Sequence, residues 1–169
     1  KISFNDMQTF EVDPIIISQE RLLELQNNLL LCFTGFARNA SELAKIQIEI
    51  THQKEKELNA MRDLCDESFK LLIDADEPID SFGKLLSEHW KIKRGLTDHI
   101  SNADIDDIYS TGMAAGALGG KLLGAGGGGF MLFYAPQHKH KNIKEILKNK
   151  LVVPFWFEFT GSKIIYFSH

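Results

Sequence analysis

Eight of the fifteen residues from Gly116 to Phe130 are glycine, and Lys121 carries the only charge among them. Without side chains in the way, such a run either stays slack or folds tightly enough for its amides to approach a ligand. A slack linker is the reading that glycine content alone favours. Here the run is wedged between Lys121-Leu122-Leu123 and Phe130-Met131-Leu132-Phe133-Tyr134, which is strand-like in length and composition. Gly124-x-Gly126-x-x-Gly129 spells a dinucleotide-binding fingerprint, but that fingerprint must follow a strand and open a helix, and this one runs into a strand. A Walker-type loop fails too, because Ala115 occupies its first glycine position and Leu122 its Ser/Thr position. A tight, ligand-facing loop remains.

The rest of the composition narrows the class. A chain of 169 residues with 44% hydrophobic and 25% charged residues fits one globular domain with a real core. Its net charge of −4 argues against a dedicated nucleic-acid binder. The local run of His138, Lys139, His140, Lys141, Lys144, Lys148 and Lys150 reads as a solvated helix face. Cys32 and Cys65 lack metal or redox spacing and read as free, buried thiols of a reducing compartment. His138-x-His140 is a poor metal signal, and no structural metal is expected. No apolar run approaches the roughly 18 residues of a membrane span. With no secretory leader at its start, the chain is expected in the cytoplasm. Because it opens at Lys1 rather than Met, it reads as a processed or trimmed piece.

Periodicity predicts alternating elements. Strands are expected over 9–17, 29–33 and 130–135, and a final hairpin over 154–159 and 163–167 around Thr160-Gly161-Ser162. Ser18 caps a helix carrying Leu22 and Leu25, and Asn39 with Glu42 opens another. Further helices are expected over 54–74, from Asp80 through Trp90, from Asn102 and over 140–149. Asp104, Asp106 and Asp107 sit where they complement a helix dipole. The fold class is α+β, an antiparallel sheet of about four strands layered with helices.

The glycine run, read as Gly-Ala-Leu-Gly-Gly-Lys-Leu-Leu-Gly-Ala-Gly-Gly-Gly-Gly, resembles the third, C-terminal signature of the GHMP sugar and isoprenoid kinases. So do Leu31-Cys32-Phe33-Thr34-Gly35-Phe36-Ala37-Arg38-Asn39, His89-Trp90-Lys91-Ile92-Lys93-Arg94-Gly95, Ser101-Asn102 and Phe157-Glu158-Phe159-Thr160-Gly161-Ser162. Together they are similar to the heptose 7-phosphate kinase branch and its close sugar-kinase relatives. The resemblance implies a ferredoxin-like C-terminal domain over residues 1–169, with the N-terminal nucleotide-binding domain absent. It implies ATP and Mg2+ as cofactors and transfer to the anomeric hydroxyl of a heptose phosphate, for nucleotide-activated heptose and surface-glycan (lipopolysaccharide) synthesis. The family's other phosphate loop, Pro-x-x-x-Gly-Leu-Gly-Ser-Ser, and its aspartate near the acceptor are expected in the missing half, so this piece alone should be inactive. A fucose, galactose or mannose kinase relative, or a non-catalytic binding module of the same fold, are the alternatives.

Phosphoryl transfer rests on positioning and charge stabilisation, so amides and cations are the groups to seek. The resemblance assigns the ATP phosphates, or the stiffening of the wall beside them, to Gly124, Ala125, Gly126, Gly127 and Gly128. Lys121 either contacts phosphate or ends a strand. Leu123 stands where the family often has Thr, which removes a hydroxyl. Arg38, beside a helix start, is the candidate for the substrate's phosphate, with an ordinary loop arginine as the alternative. Lys93 prolongs an apolar helix face toward its end, where it reaches a ligand or complements the helix dipole.

Overall fold

Continuous apolar runs mark strands buried on both faces, and two such runs pair at the centre of this molecule. The computed structural model describes residues 1–5, 9–36 and 40–167. In chain order its elements are β1 (Ile2–Phe4), β2 (Phe10–Val12), α1 (Gln19–Asn27), β3 (Leu29–Phe33), α2 (Ala40–Glu49), α3 (Glu55–Ile73), α4 (Ser81–Arg94), α5 (Ala103–Ala114), β4 (Gly119–Leu122), β5 (Phe130–Tyr134), α6 (Gln137–Ile146) and β6 (Val152–Val153). β1 and β2 form a separate hairpin, and the other strands form one antiparallel sheet in the order β4-β5-β3-β6. Leu31 lies opposite Leu132 on one side and Val153 on the other, and Lys121 opposite Leu132, so these four share one row across the sheet.

Alternation along the strands divides the core in two. Leu30, Cys32, Met131, Phe133 and Leu122 pack with Ile105 and Ile108 of α5 and Ile143 of α6, and Trp90 of α4 joins them. Leu29 and Tyr134 pack instead with Leu25 of α1, Leu71 and Leu72 of α3, and Leu85 of α4. The helix starts follow the capping chemistry: Ser18 accepts the Arg21 amide at 3.2 Å and Asn102 accepts the Ile105 amide at 3.0 Å.

β4 and α4 meet backbone to backbone. A Cβ added at Gly119 would stand 1.6 Å from the Gly83 carbonyl oxygen, and the Gly120 amide reaches the Ser87 hydroxyl at 3.3 Å. This contact seats the N-terminal half of α4 against the start of β4.

The α+β class and the four-stranded antiparallel sheet are those expected, but boundaries differ. Part of the glycine run is strand: Gly119–Leu122 is β4, paired in register with Met131–Tyr134, and the loop proper is 123–129. The expected strand over 9–17 is reduced to Phe10–Val12, ending before Pro14, which has no amide to pair. Helix α6 begins at Gln137, directly after Pro136 at φ −54°, rather than at 140. The C-terminal hairpin does not form. β6 stops at Val153 before Pro154, and residues 154–167 adopt no strand. That segment is tethered by Gln26, whose side chain donates to Phe155 O at 3.0 Å and accepts from Phe157 N at 2.7 Å.

Candidate functional site

Loop 123–129 leaves β4 and returns as β5, and its outline is set by what grips its carbonyls. Five of its glycines, Gly124 and Gly126 through Gly129, take positive φ. Lys93, in the last turn of α4, donates its Nζ to Gly124 O. Gln47 of α2 donates Nε2 to Ala125 O at 2.6 Å. The Gly127 amide binds Ile100 O at 2.9 Å, in the connection between α4 and α5. At the far end the Gly129 amide reaches Phe36 O at 2.9 Å, and Gly129 O accepts the Thr34 amide at 2.9 Å.

Across a peptide bond the carbonyl and the following amide point to opposite sides, so pinning Gly124 O and Ala125 O turns the amides of Ala125 and Gly126 away from Lys93 and Gln47. Among the described residues, the amides of Gly124, Ala125, Gly126 and Gly128 have no hydrogen-bond partner. Successive unpaired amides of this kind are donors suited to an anion, and of the four residues Gly126 is buried. Gly127 is the exception within the expected set: its amide is committed to Ile100, so it stiffens the wall instead of facing a ligand.

Two cations flank the loop. Lys121 lies on β4 and Lys93 on α4, the latter only 9% exposed. Neither has a carboxylate partner among the described residues. Burial, with Lys93 beside it, lowers the Lys121 pKa to about 8. Burial also lowers that of Lys93. One turn back on α4, burial and both lysines push His89 down to about 4, so it is neutral at pH 7, and its buried Nδ1 has no partner. A locally positive, partly dehydrated wall strengthens any interaction with an anion.

The other groups considered from sequence are placed differently. Cys32 is buried as expected, whereas Cys65 is exposed on α3. Arg38 and Asn39 lie outside the described residues. Asp106 is paired with Arg94 and accepts from Ser101 at 2.6 Å, tying the α4 end to the α5 start. A groove of about 1090 Å³ runs between α4 and α5, and its lining does not include the loop. The loop therefore forms one wall, not a closed pocket. No group of three or more His, Cys, Asp or Glu suited to a metal ion occurs among the described residues.

The family model for the C-terminal region of GHMP kinases matches residues 36–153, which include the loop and every element that grips it except Thr34. The chain belongs to the GHMP kinase C-terminal family. This GHMP domain is 30% identical over 175 residues to the D-glycero-alpha-D-manno-heptose 7-phosphate kinase of Campylobacter jejuni, covering 95% of this chain and 49% of the relative. It is 27% identical to the bifunctional fucokinase/GDP-fucose pyrophosphorylase of Arabidopsis thaliana, covering 82% of this chain and 13% of that protein. Among solved structures it superimposes on L. major mevalonate kinase in complex with R-mevalonate with a TM-score of 0.68 at 19% identity, covering 88% of this chain and 44% of that one. The GHMP domain thus spans about half or less of the length of these relatives.

Nothing in the sequence marks Thr34, Gln47 and Ile100 as the residues that hold the loop. Gln47 gave no signal beyond being one polar residue of an amphipathic helix. Thr34 stood in view as the end of β3, yet its contact with Gly129 is long-range and silent in local sequence.

Proposed function

We propose that this chain is the C-terminal half of an ATP-dependent kinase that phosphorylates the anomeric hydroxyl of D-glycero-D-manno-heptose 7-phosphate in the cytoplasm. The product would feed nucleotide-activated heptose and surface-glycan synthesis. The observation that carries this reading is the loop with four unpaired amides, flanked by two ammonium groups that lack carboxylate partners among the described residues. The Campylobacter relative, which aligns along nearly the whole chain, supports heptose 7-phosphate as the acceptor.

In this reading Gly124, Ala125, Gly126 and Gly128 donate amides to phosphate oxygens of ATP, while Gly127 holds the loop's shape. Lys121 neutralises charge gathering on the transferred group, and Lys93 braces the loop with one proton and keeps others for a ligand. Arg38 grips the acceptor's own phosphate. Mg2+ would accompany ATP and neutralise charge on its phosphates; the described residues of this chain are given no part in holding it. The group next to the acceptor hydroxyl is assigned to the N-terminal half. Exposed apolar side chains such as Phe4 (81%), Ile16 (80%), Trp156 (76%) and Ile165 (89%) support a partner surface covering this half.

The deciding experiment is a phosphoryl-transfer assay of the full-length protein with ATP against heptose 7-phosphate, fucose, galactose and mannose. Heptose 7-phosphate should lead in kcat/KM by about a hundredfold or more, because a site built around a bound phosphate leaves those charges unmatched without it. Transfer to an unphosphorylated sugar would reassign the acceptor. No transfer to any of them would leave a non-catalytic binding module. In the same assay Arg38→Ala should raise the KM for the sugar phosphate roughly tenfold to a hundredfold, the worth of a charge-assisted bond, with kcat less affected. An unchanged KM rejects that role.

Lys121 supplies a pH test. Its ammonium is intact below about pH 8 and is lost above it. Phosphate binding needs the protonated form, so the KM for ATP should be flat below pH 8 and climb above it, approaching tenfold per pH unit. Lys121→Arg should flatten this profile, since arginine stays charged. A wild-type KM that does not move between pH 7 and 9.5 removes Lys121 from the phosphate wall.

A further inference from the structure

His89 and Lys93 stand one turn apart on the same face of α4, and Lys121 lies on β4, which packs against that helix. Lys93 is nine-tenths buried and donates one hydrogen bond to Gly124 O in the glycine loop. Both lysines lie close enough to His89 to act on it electrostatically. The imidazole is half-buried. Among the described residues neither of its nitrogens has a hydrogen-bond partner, and Nδ1 is sealed from solvent. His140 shows the contrasting, structural arrangement: its Nε2 is bonded to the fold through Ala135 O at 2.8 Å.

The lack of a partner decides which nitrogen of His89 carries the proton. An orphaned buried N–H is rarer in folded proteins than an under-satisfied acceptor. The proton therefore belongs on Nε2, and the sealed Nδ1 keeps the lone pair. We propose that His89 is a phosphate-binding residue of this site, donating Nε2–H to an oxygen of a polyphosphate that Lys93 and Lys121 hold by charge. At pH 7 the ring is neutral, because burial and the two ammonium groups hold its pKa at about 4. It thus supplies a third donor without crowding a third positive charge between the lysines. An ammonium on a flexible stem attracts a phosphate without fixing its angle. A ring held by burial points one way, so His89 orients what the lysines attract. The inference rests on the loop and its lysines being a phosphate wall, as proposed above.

The test uses the full-length protein and ATP, comparing His89→Gln, His89→Leu and Lys121→Gln with wild type. Glutamine keeps an N–H near the Nε2 position, whereas leucine has no donor. By calorimetry His89→Leu should weaken ATP roughly tenfold to a hundredfold, the range for a hydrogen bond to a charged group. His89→Gln should recover most of that loss. The melting temperature separates this from packing: leucine removes a buried polar atom that has no partner, so His89→Leu should melt no lower than wild type. With isotope-labelled histidine, the magnetic-resonance signal missing from His89→Gln identifies the ring. At pH 7 it should show the Nε2–H tautomer, and its Nε2 signal should move when ATP is added. Unchanged ATP affinity in His89→Leu overturns the proposal, as does an Nδ1–H tautomer or a ring signal that ATP leaves in place. Should leucine lower both affinity and melting temperature, failure of glutamine to restore binding overturns it too. Lys121→Gln keeps the two readings apart. If it weakens ATP while His89→Leu does not, the wall stands without His89. If wild-type protein binds no ATP, the wall reading fails and this inference falls with it.

Discussion

Gly126→Val should abolish turnover in the full-length protein while leaving it folded. Gly126 has φ +116°, and an added Cβ would stand 2.9 Å from Ile100 Cα and 3.1 Å from its carbonyl oxygen. Valine adds two methyl groups to a position where even one carbon is too close, in a backbone region that β-branched residues avoid. The loop can escape only by moving off Ile100, which breaks the neighbouring bond from Gly127 N to Ile100 O. The unpaired amides of Ala125 and Gly126 then lose their aim. A displacement of about an ångström at a site that works by positioning costs around a hundredfold in rate, and this substitution demands more. We expect kcat/KM down by at least about a hundredfold, with an unchanged far-ultraviolet circular dichroism spectrum. Turnover at the wild-type level would take the loop out of the active site.

The second large effect concerns stability. Gly119→Ala places its methyl carbon 1.6 Å from the Gly83 carbonyl oxygen and 2.9 Å from Gly83 Cα. These are main-chain atoms of a helix, and no rotamer change relieves the overlap. β4 and α4 must part, which loosens the bond from Gly120 to Ser87 and the packing of Leu85 and Trp90. A cost on the order of 4 kcal/mol belongs to the severe end of single substitutions, against a total of about 5–15 kcal/mol. The melting temperature should fall by about 10 °C or more. Gly95→Ala is the matched control: it takes φ −80° and its added carbon meets nothing closer than 3.5 Å, so its effect should stay within about 0.5 kcal/mol. Similar losses for the two variants would mean that the β4 to α4 contact is not as tight as the geometry gives it.

These two glycines also show what sequence could and could not reveal. A dense glycine run announces a loop, and it did so correctly for 123–129. It concealed β4, because glycine has low strand propensity and a helix packed across it is invisible along the chain. Gly83 carries no signal of its own in the sequence; its use appears only when Gly119, from a distant element, is laid against it. Elements governed by local chemistry were legible: α3 and α4 from their apolar spacing, and α1 and α5 from Ser18 and Asn102. The fate of 154–167 was not. Its aromatic alternation is real strand chemistry, but pairing needs a neighbouring strand, and Pro154 ends the ladder before that segment. The site divided along the same line. Lys121 and the glycines could be named from a motif, whereas Thr34, Gln47 and Ile100 act through contacts spanning distant parts of the chain.

The position of β3 has a consequence for how the protein is made. It occupies the interior of the sheet, yet Leu29 waits for Tyr134, and Cys32 for Val152, before either of its edges is closed. During synthesis β3 therefore emerges from the ribosome long before its neighbours exist. Pairing over such distances is slow, and an uncovered apolar strand is prone to wrong partners. A nascent chain stalled after α5 would carry Leu29–Phe33 bare on both sides. Chaperone dependence should accordingly drop sharply only once both β5 and β6 have emerged, which makes the last quarter of the chain a checkpoint in biogenesis.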